Sequence, residues 1–234
     1  MTATPGNPPA AANGVYGDLV VVGDVVEEFV VQVLQAWHAR RRHFFSLVVS
    51  GGDLARRCYE SLATAGRDVI DWSMVDVYWG DERLVPRRHP DSNERLAREA
   101  LINRLPPVRG VFPMRVEATA DDYDALVRKA SPFDVVHLGL GPDAHTASLF
   151  PASDALDAPI DRFVVDNVDP SQKNFHPRRT LTFAGVAMGD LVLVTVDGAE
   201  KREALRRVRD GDETAPASHV RAPRVKWLVG ESAL

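Results

Sequence analysis

Short runs of β-branched and aliphatic residues alternate along this chain with longer segments of helical period. The apolar runs fall at 19–23 (LVVVG), 44–50 (FFSLVVS), 74–80 (MVDVYWG), 133–140 (FDVVHLGL), 162–168 (RFVVDNV), 191–196 (LVLVTV) and 225–230 (VKWLVG). Several are hydrophobic almost throughout, which marks strands covered on both faces. Between them, residues 25–41, 53–65, 92–103, 120–130 and 199–209 carry apolar positions at helical spacing. This alternation predicts an α/β fold: a mostly parallel, open, Rossmann-like sheet with helices on both faces. Residues 1–17, MTATPGNPPAAANGVYG, lack such a pattern and are expected to form a disordered leader, leaving 18–234 as a single α/β domain.

The polar signals gather just after strand candidates: SGGD after 44–49, GDERLVP after 74–79, GPDAHTAS after 133–140 and DGAEK after 191–196. Open α/β sheets bind ligands beyond the carboxyl ends of their strands, so these four loops are expected to line one pocket. Gly51 and Gly52 let the backbone approach a ligand, and the following helix presents free N–H groups, an arrangement suited to phosphate. The same residues also fit a plain turn with Asp53 as helix N-cap, and a carboxylate there would repel a phosphate. Asp81, Glu82 and Arg83 stand at a strand end ahead of a Pro86-braced loop and a helix start at Ser92-Asn93. Arg83 offers a donor fork for a carbonyl or phosphoryl oxygen.

In HLGLGPDAHTASLFP, residues 137–151, Asp143 and His145 lie two positions apart in a glycine-containing turn. Histidine suits proton removal from water near neutral pH, and a carboxylate beside it orients the ring. Gly139, Gly141 and Ala144 also satisfy the permissive dinucleotide fingerprint, with Asp166 ending the next strand. Pro142 and Pro151, however, leave no room for the long helix that this fingerprint requires. No G-x-S-x-G elbow and no G-x-x-x-x-G-K-[ST] phosphate loop occurs. Arg178 and Arg179 precede a short β-prone run, and Lys201 begins a helix after a strand; each fits either a solvated basic face or a phosphate contact.

Charge narrows the partners. With 28 Lys and Arg against 33 Asp and Glu, the net charge of -5 gives no general attraction to nucleic acid or to an anionic membrane, so an anionic ligand needs a local site. The single cysteine, Cys58, excludes an intramolecular disulfide. No apolar run reaches the roughly 18 to 20 residues of a membrane span. The opening residues lack an export signal, and a cytoplasmic location is expected. The seven histidines show no metal-ligand spacing, so no metal is expected.

In their order, SGG, GDERLVP followed by SN, LGLGPDAHTASLFP, RRTLTF and GAEK resemble the 6-phosphogluconolactonase family, from about residue 18 to the C-terminal WLVG. The most specific pieces are GDERLVP with SN, and HTASLFP. Glucosamine-6-phosphate deaminases share the fold and a similar aspartate–glycine–histidine loop. The resemblance implies the sheet type of these two families, no cofactor, and hydrolysis of 6-phosphoglucono-δ-lactone to 6-phosphogluconate in the pentose phosphate pathway. Carried over by position, it makes His145 the general base, with Asp143 beside it, and lets Arg83 and Asn93 hold the lactone and its oxyanion. It gives the phosphate to Gly51, Gly52, Arg179 and Lys201, and counts Asp81 among the substrate contacts. A sugar-phosphate isomerase or deaminase, and a binding module without catalysis, are the alternatives. The family usually has serine, threonine and proline after SGG, where this chain has Asp53, Leu54 and Ala55. It usually has glycine where this chain has Ala144; if that residue adopts positive φ, alanine costs about 1 to 2 kcal/mol.

Overall fold

The structure is a computed structural model that describes residues 14–234. In chain order the elements are β1 (Asp18–Val22), α1 (Val25–Ala39), β2 (Phe45–Val49), α2 (Asp53–Ala65), β3 (Val75–Trp79), β4 (Asp81–Arg83), α3 (Asn93–Ala100), β5 (Gly110–Phe112), α4 (Ala120–Ala130), β6 (Phe133–Gly139), β7 (Val164–Asn167), β8 (Arg178–Leu181), α5 (Phe183–Val186), β9 (Gly189–Val196), α6 (Arg202–Arg209) and β10 (Val225–Gly230). Seven strands form one sheet in the order β1-β10-β9-β6-β2-β3-β5, with every pairing parallel. Every residue of β2 and β3 is buried, as expected of strands covered on both faces.

Several expected boundaries shift. The run 162–168 does not join the parallel sheet: β7 pairs antiparallel with β8, which pairs antiparallel with β4, in a separate three-stranded sheet. Only Val164 and Asn167 of β7 are buried, as in a half-solvated strand rather than a central one. The expected helix at 92–103 ends at Ala100 and continues as a 3₁₀ turn over Ile102–Arg104, while 199–209 divides into a 3₁₀ turn over Ala199–Lys201 and α6. Of the expected leader, residues 1–13 lie outside the described residues. Packing begins ahead of Asp18, however, with Val15 buried and the Tyr16 carbonyl accepting from Trp227 Nε1 at 3.1 Å.

The strand order creates a topological switch point. From β2 the chain moves outward through β3 to β5, then returns to β6 on the other side of β2 and moves outward through β9 and β10. The loops leaving β2 and β6 therefore diverge at their carboxyl ends and open a crevice between them.

A buried polar chain crosses the core beneath this crevice. The Tyr59 hydroxyl accepts from the Ser50 N–H at 2.6 Å and lies 2.8 Å from His137 Nδ1. With its acceptor side used by Ser50, the hydroxyl donates to Nδ1, which leaves the proton of the neutral ring on Nε2. That nitrogen donates to Thr195 Oγ1 at 3.0 Å. Burial pushes the His137 pKa down to about 3, so the folded ring stays neutral where the unfolded one protonates. The stability this contributes is present above about pH 6.5 and is lost as pH falls from there towards 3. In urea unfolding at a series of pH values, the stability difference between the wild type and His137→Gln is expected to shrink by about 1.4 kcal/mol per pH unit across that window. A difference independent of pH would contradict a neutral buried ring.

Candidate active site

β2 delivers the chain to Ser50, Gly51 and Gly52, and α2 starts at once. Gly52 is the N-cap, at φ +97°, and Asp53 is the first helical residue rather than the cap. A carboxylate in the first turn is favoured by the helix dipole and there competes with any anion for the same end. Gly51 must lack a side chain, because a Cβ there would stand 2.0 Å from Asn93 Oδ1. The glycine pair thus seats Asn93 as well as opening the backbone.

The second wall follows from the two-residue period of β4. Asp81 and Arg83 face the crevice, and Glu82 faces the start of α3. The Glu82 carboxylate accepts from the N–H groups of Asn93 at 2.7 Å and Glu94 at 2.6 Å and from Ser92 Oγ at 3.2 Å. Burial pushes this carboxyl up to about 7, while the Asn93, Glu94 and Arg83 N–H groups oppose the rise. Asp81 uses its carboxylate within the protein: Oδ1 accepts from Asn93 Nδ2 at 3.3 Å and Oδ2 from Ser148 Oγ at 2.6 Å. Arg83 is anchored at one nitrogen by the Asp91 carbonyl, 2.7 Å from Nη1.

The same period removes Arg179 from the site. In the β4–β8 ladder Arg178 stands opposite Arg83 and Arg179 opposite Glu82, so Arg179 lies on the other face. There it forms a double bond pattern with Asp166, at 2.7 and 3.1 Å, and donates to the carbonyls of Arg115 and Ala118. It does not line the cleft. Arg178 has Arg83's side of the ladder, is buried, and keeps Nε and Nη1 without a partner among the described residues. Burial and the neighbouring Arg83 charge lower its pKa. RR alone does not reveal which of two adjacent arginines points inward; the strand register does.

After β6 the chain turns through residues 140–152 without a helix, and the next regular element is a 3₁₀ turn over Asp154–Asp157. The dinucleotide reading therefore lacks its helix, and Asp166 is engaged by Arg179 rather than free for a ribose. The turn closes through the Gly141 N–H to the His145 carbonyl at 2.8 Å. A Cβ on Gly141 would meet His145 Nδ1 at 2.1 Å, so glycine here is what admits the imidazole. Ala144 does adopt the left-handed region, at φ +67°, and is fully buried, with its carbonyl accepting from the Ala217 N–H. Alanine carries about 1 to 2 kcal/mol of strain there that glycine would not, and the surrounding packing holds it.

His145 Nδ1 lies 2.5 Å from Asp143 Oδ1. Because a carboxylate only accepts, Nδ1 carries the proton and Nε2 keeps its lone pair. Burial pushes the Asp143 carboxyl up, and the hydrogen bond and charge of His145 more than offset it, leaving the pKa below the usual value. Asp143 itself does not line the cleft; it acts on the ring.

These walls enclose a cleft of about 370 Å³ lined by Gly51, Gly52, Asp81, Arg83, Asn93, His145 and Lys201 among others. All but two of the site residues expected from sequence therefore meet here, the exceptions being Asp143 and Arg179. The lining also includes Asn174, Thr195, Asp197 and Glu200. Thr195 and Asp197 sit at the end of β9, where the strand-end rule would have found them, but nothing in the local sequence marks Asn174. Asp197 is 3.7 Å from Arg57.

The class is thus an α/β protein with a cleft at a sheet switch point, lined by an oriented imidazole, an arginine and a lysine among carboxylates, and a glycine pair. A model of the glucosamine-6-phosphate isomerases/6-phosphogluconolactonase family matches residues 20–229. Among similar curated proteins, the 6-phosphogluconolactonase of Nostoc sp. is 33% identical over 207 residues, covering 81% of this chain and 83% of that one. That of Streptomyces coelicolor is 33% identical over 211 residues, covering 80% of each. The crystal structure of 6-phosphogluconolactonase from Thermotoga maritima superposes with a TM-score of 0.80 at 28% identity, over 92% of this chain and 99% of that one. A monomeric glucosamine-6-phosphate deaminase has the same fold, with a TM-score of 0.77 at 16% identity. The chain belongs to the glucosamine-6-phosphate isomerase/6-phosphogluconolactonase family.

Ser148→Ala leaves Asp81 Oδ2 buried without its donor. A loss of about 1.5 to 3 kcal/mol is expected from the urea midpoint, and a loss below about 0.5 kcal/mol would show that this hydrogen bond does not hold the two loops together.

Proposed function

We propose that this protein hydrolyses 6-phosphoglucono-δ-lactone to 6-phosphogluconate, the lactonase step of the pentose phosphate pathway, using water activated by His145. The observation that carries the reading is the 2.5 Å contact of His145 Nδ1 with Asp143, in a cleft that also holds Arg83. Nε2 takes a proton from water as the oxygen attacks the lactone carbonyl, and Asp143 stabilises the imidazolium that results. Arg83 provides N–H donors for the oxyanion, and Arg178 adds positive charge on Arg83's side of the ladder; Asn93, whose N–H groups are spent on Asp81 and Glu82, shapes the wall instead. When the tetrahedral intermediate collapses, the ring C–O bond breaks and the imidazolium returns its proton to the departing hydroxyl. The product acid ionises to a carboxylate. No redox step is needed, and none of these steps calls on a cofactor.

Gly51, Gly52, the start of α2 and Lys201 make the phosphate end of the cleft. The relatives above 30% identity are named for the lactonase rather than the deaminase, which favours hydrolysis over the isomerase class. No described helix is long and apolar enough to cross a membrane. We assign the reaction to the cytoplasm, in keeping with a single cysteine that can form no intramolecular disulfide.

With freshly generated lactone and spontaneous hydrolysis subtracted, His145→Ala is expected to lose about 10² to 10⁴ in kcat while remaining folded. An inactive wild type would overturn the assignment, and a fully active variant would overturn the base.

Asp53 and Lys201 both line the cleft, and we place both at its phosphate end. Asp53→Ser is therefore expected to lower KM for the phosphorylated lactone, and Lys201→Ala to raise it, each with little change in kcat. Steady-state kinetics with both variants tests the placement; an Asp53→Ser variant with raised KM would move the phosphate elsewhere.

A further inference from the structure

A second cluster of metal-ligating side chains lies outside the cleft. His89 and Asp91, in the loop between β4 and α3, meet His176, which precedes β8. One ligand atom from each falls within 4.8 Å of the others. His176 Nε2 is 2.9 Å and His89 Nδ1 3.8 Å from the same atom, Asp91 Oδ2. The two imidazoles meet at 5.3 Å between ring centroids and 82° between planes. Tetrahedral ligands about 2.0 to 2.2 Å from a zinc ion stand roughly 3.3 Å apart, close to the spacings here, and His89 Nδ1 exchanges its bond from the Asp91 N–H, 3.2 Å long, for the ion.

We propose that His89, Asp91 and His176 form a binding site for a divalent transition metal of the zinc class, which staples together two loops on the rim of the cleft. Two imidazoles and one carboxylate suit zinc, cobalt or nickel rather than magnesium or calcium, which prefer an all-oxygen shell. The side chains are partly exposed, His176 at 18% and His89 at 37%, which gives the ion access and leaves the remaining coordination position to water. Sequence spacing conceals the site, because His176 arrives from 85 residues beyond Asp91.

The position links it to the cleft without making it part of the chemistry. Asp91 presents its carboxylate to the cluster and its carbonyl to Arg83 Nη1. Ser92 and Asn93 follow directly, and Asn174 lies two residues before His176. A second tie between the same loops runs from the Leu84 N–H to the Pro177 carbonyl at 2.8 Å. A metal held by Asp91 and His176 therefore fixes the backbone that anchors Arg83 relative to the loop that carries Asn174.

The test uses the whole chain, stripped with chelator. Calorimetric titration with zinc chloride is expected to show one equivalent bound, and cobalt(II) substitution to give visible absorption of a four-coordinate nitrogen and oxygen site. His89→Gln and His176→Gln, each checked for an unchanged far-ultraviolet spectrum and unchanged lactone hydrolysis in chelator, are expected to lose the stoichiometric heat and the cobalt band. Zinc is also expected to raise the melting temperature of the wild type and not that of the variants. A wild type without stoichiometric binding overturns the proposal. So does binding retained in both variants, which would place the ion elsewhere, for instance at Asp143 and His145.

Discussion

The hydrogen bond from Ser148 to Asp81, 2.6 Å long and buried, joins the two halves of the cleft. Asp81 ends the arm of the chain that leaves β3; Ser148 belongs to the loop that leaves β6. Each is tied further into its own side. Asp81 orients Asn93, whereas the Ser148 N–H donates to Thr180 Oγ1 and the Ser148 carbonyl accepts from Asn167 Nδ2. A charge-assisted bond in a dry setting is strong when made and costly when broken. Through it, the small antiparallel sheet and the turn that carries His145 share one reference point.

Much of this was legible in sequence, for a physical reason. Parallel strands buried on both faces are apolar over most of their length, so β2, β6, β9 and β10 announce themselves. Chain chemistry at strand ends then located Gly51, Arg83, His145 and Lys201 in one place. What stayed hidden depends on pairing between distant segments. Strand β4 is only three residues long, and its partner β8 lies almost a hundred positions away. Until that register is known, Arg178 and Arg179 are indistinguishable. Ala144 was visible as a residue but its φ was not, since the turn that imposes it is closed by Gly141 and held from outside by Ala217. Asn174 reaches the cleft from an irregular loop, without any periodicity to expose it.

The electrostatics of the cleft are more mixed than a phosphate site alone would require. Asp53, Asp81, Asp197 and Glu200 line it alongside Arg83 and Lys201. Two of those carboxylates are committed: Asp81 to Asn93 and Ser148, Asp197 to Ser232 and to nearby Arg57. The charge balance in the rest of the cleft therefore turns on Asp53 and Glu200 against Lys201 and the α2 dipole. The His145 ring is oriented separately, by Asp143.

The order of strands carries a consequence for how the chain is made. Strand β10 follows every other described strand in sequence, yet it lies between β1, the first of them, and β9. Until residues 225–230 emerge, β1 has no neighbour and β9 presents an open edge of Leu191, Val192, Leu193 and Val194. Such an edge is a template for pairing with other chains. The sheet closes by inserting β10 between two strands that precede it in sequence, so the apolar β9 edge stays open from residue 196 until residues 225–230 are in place.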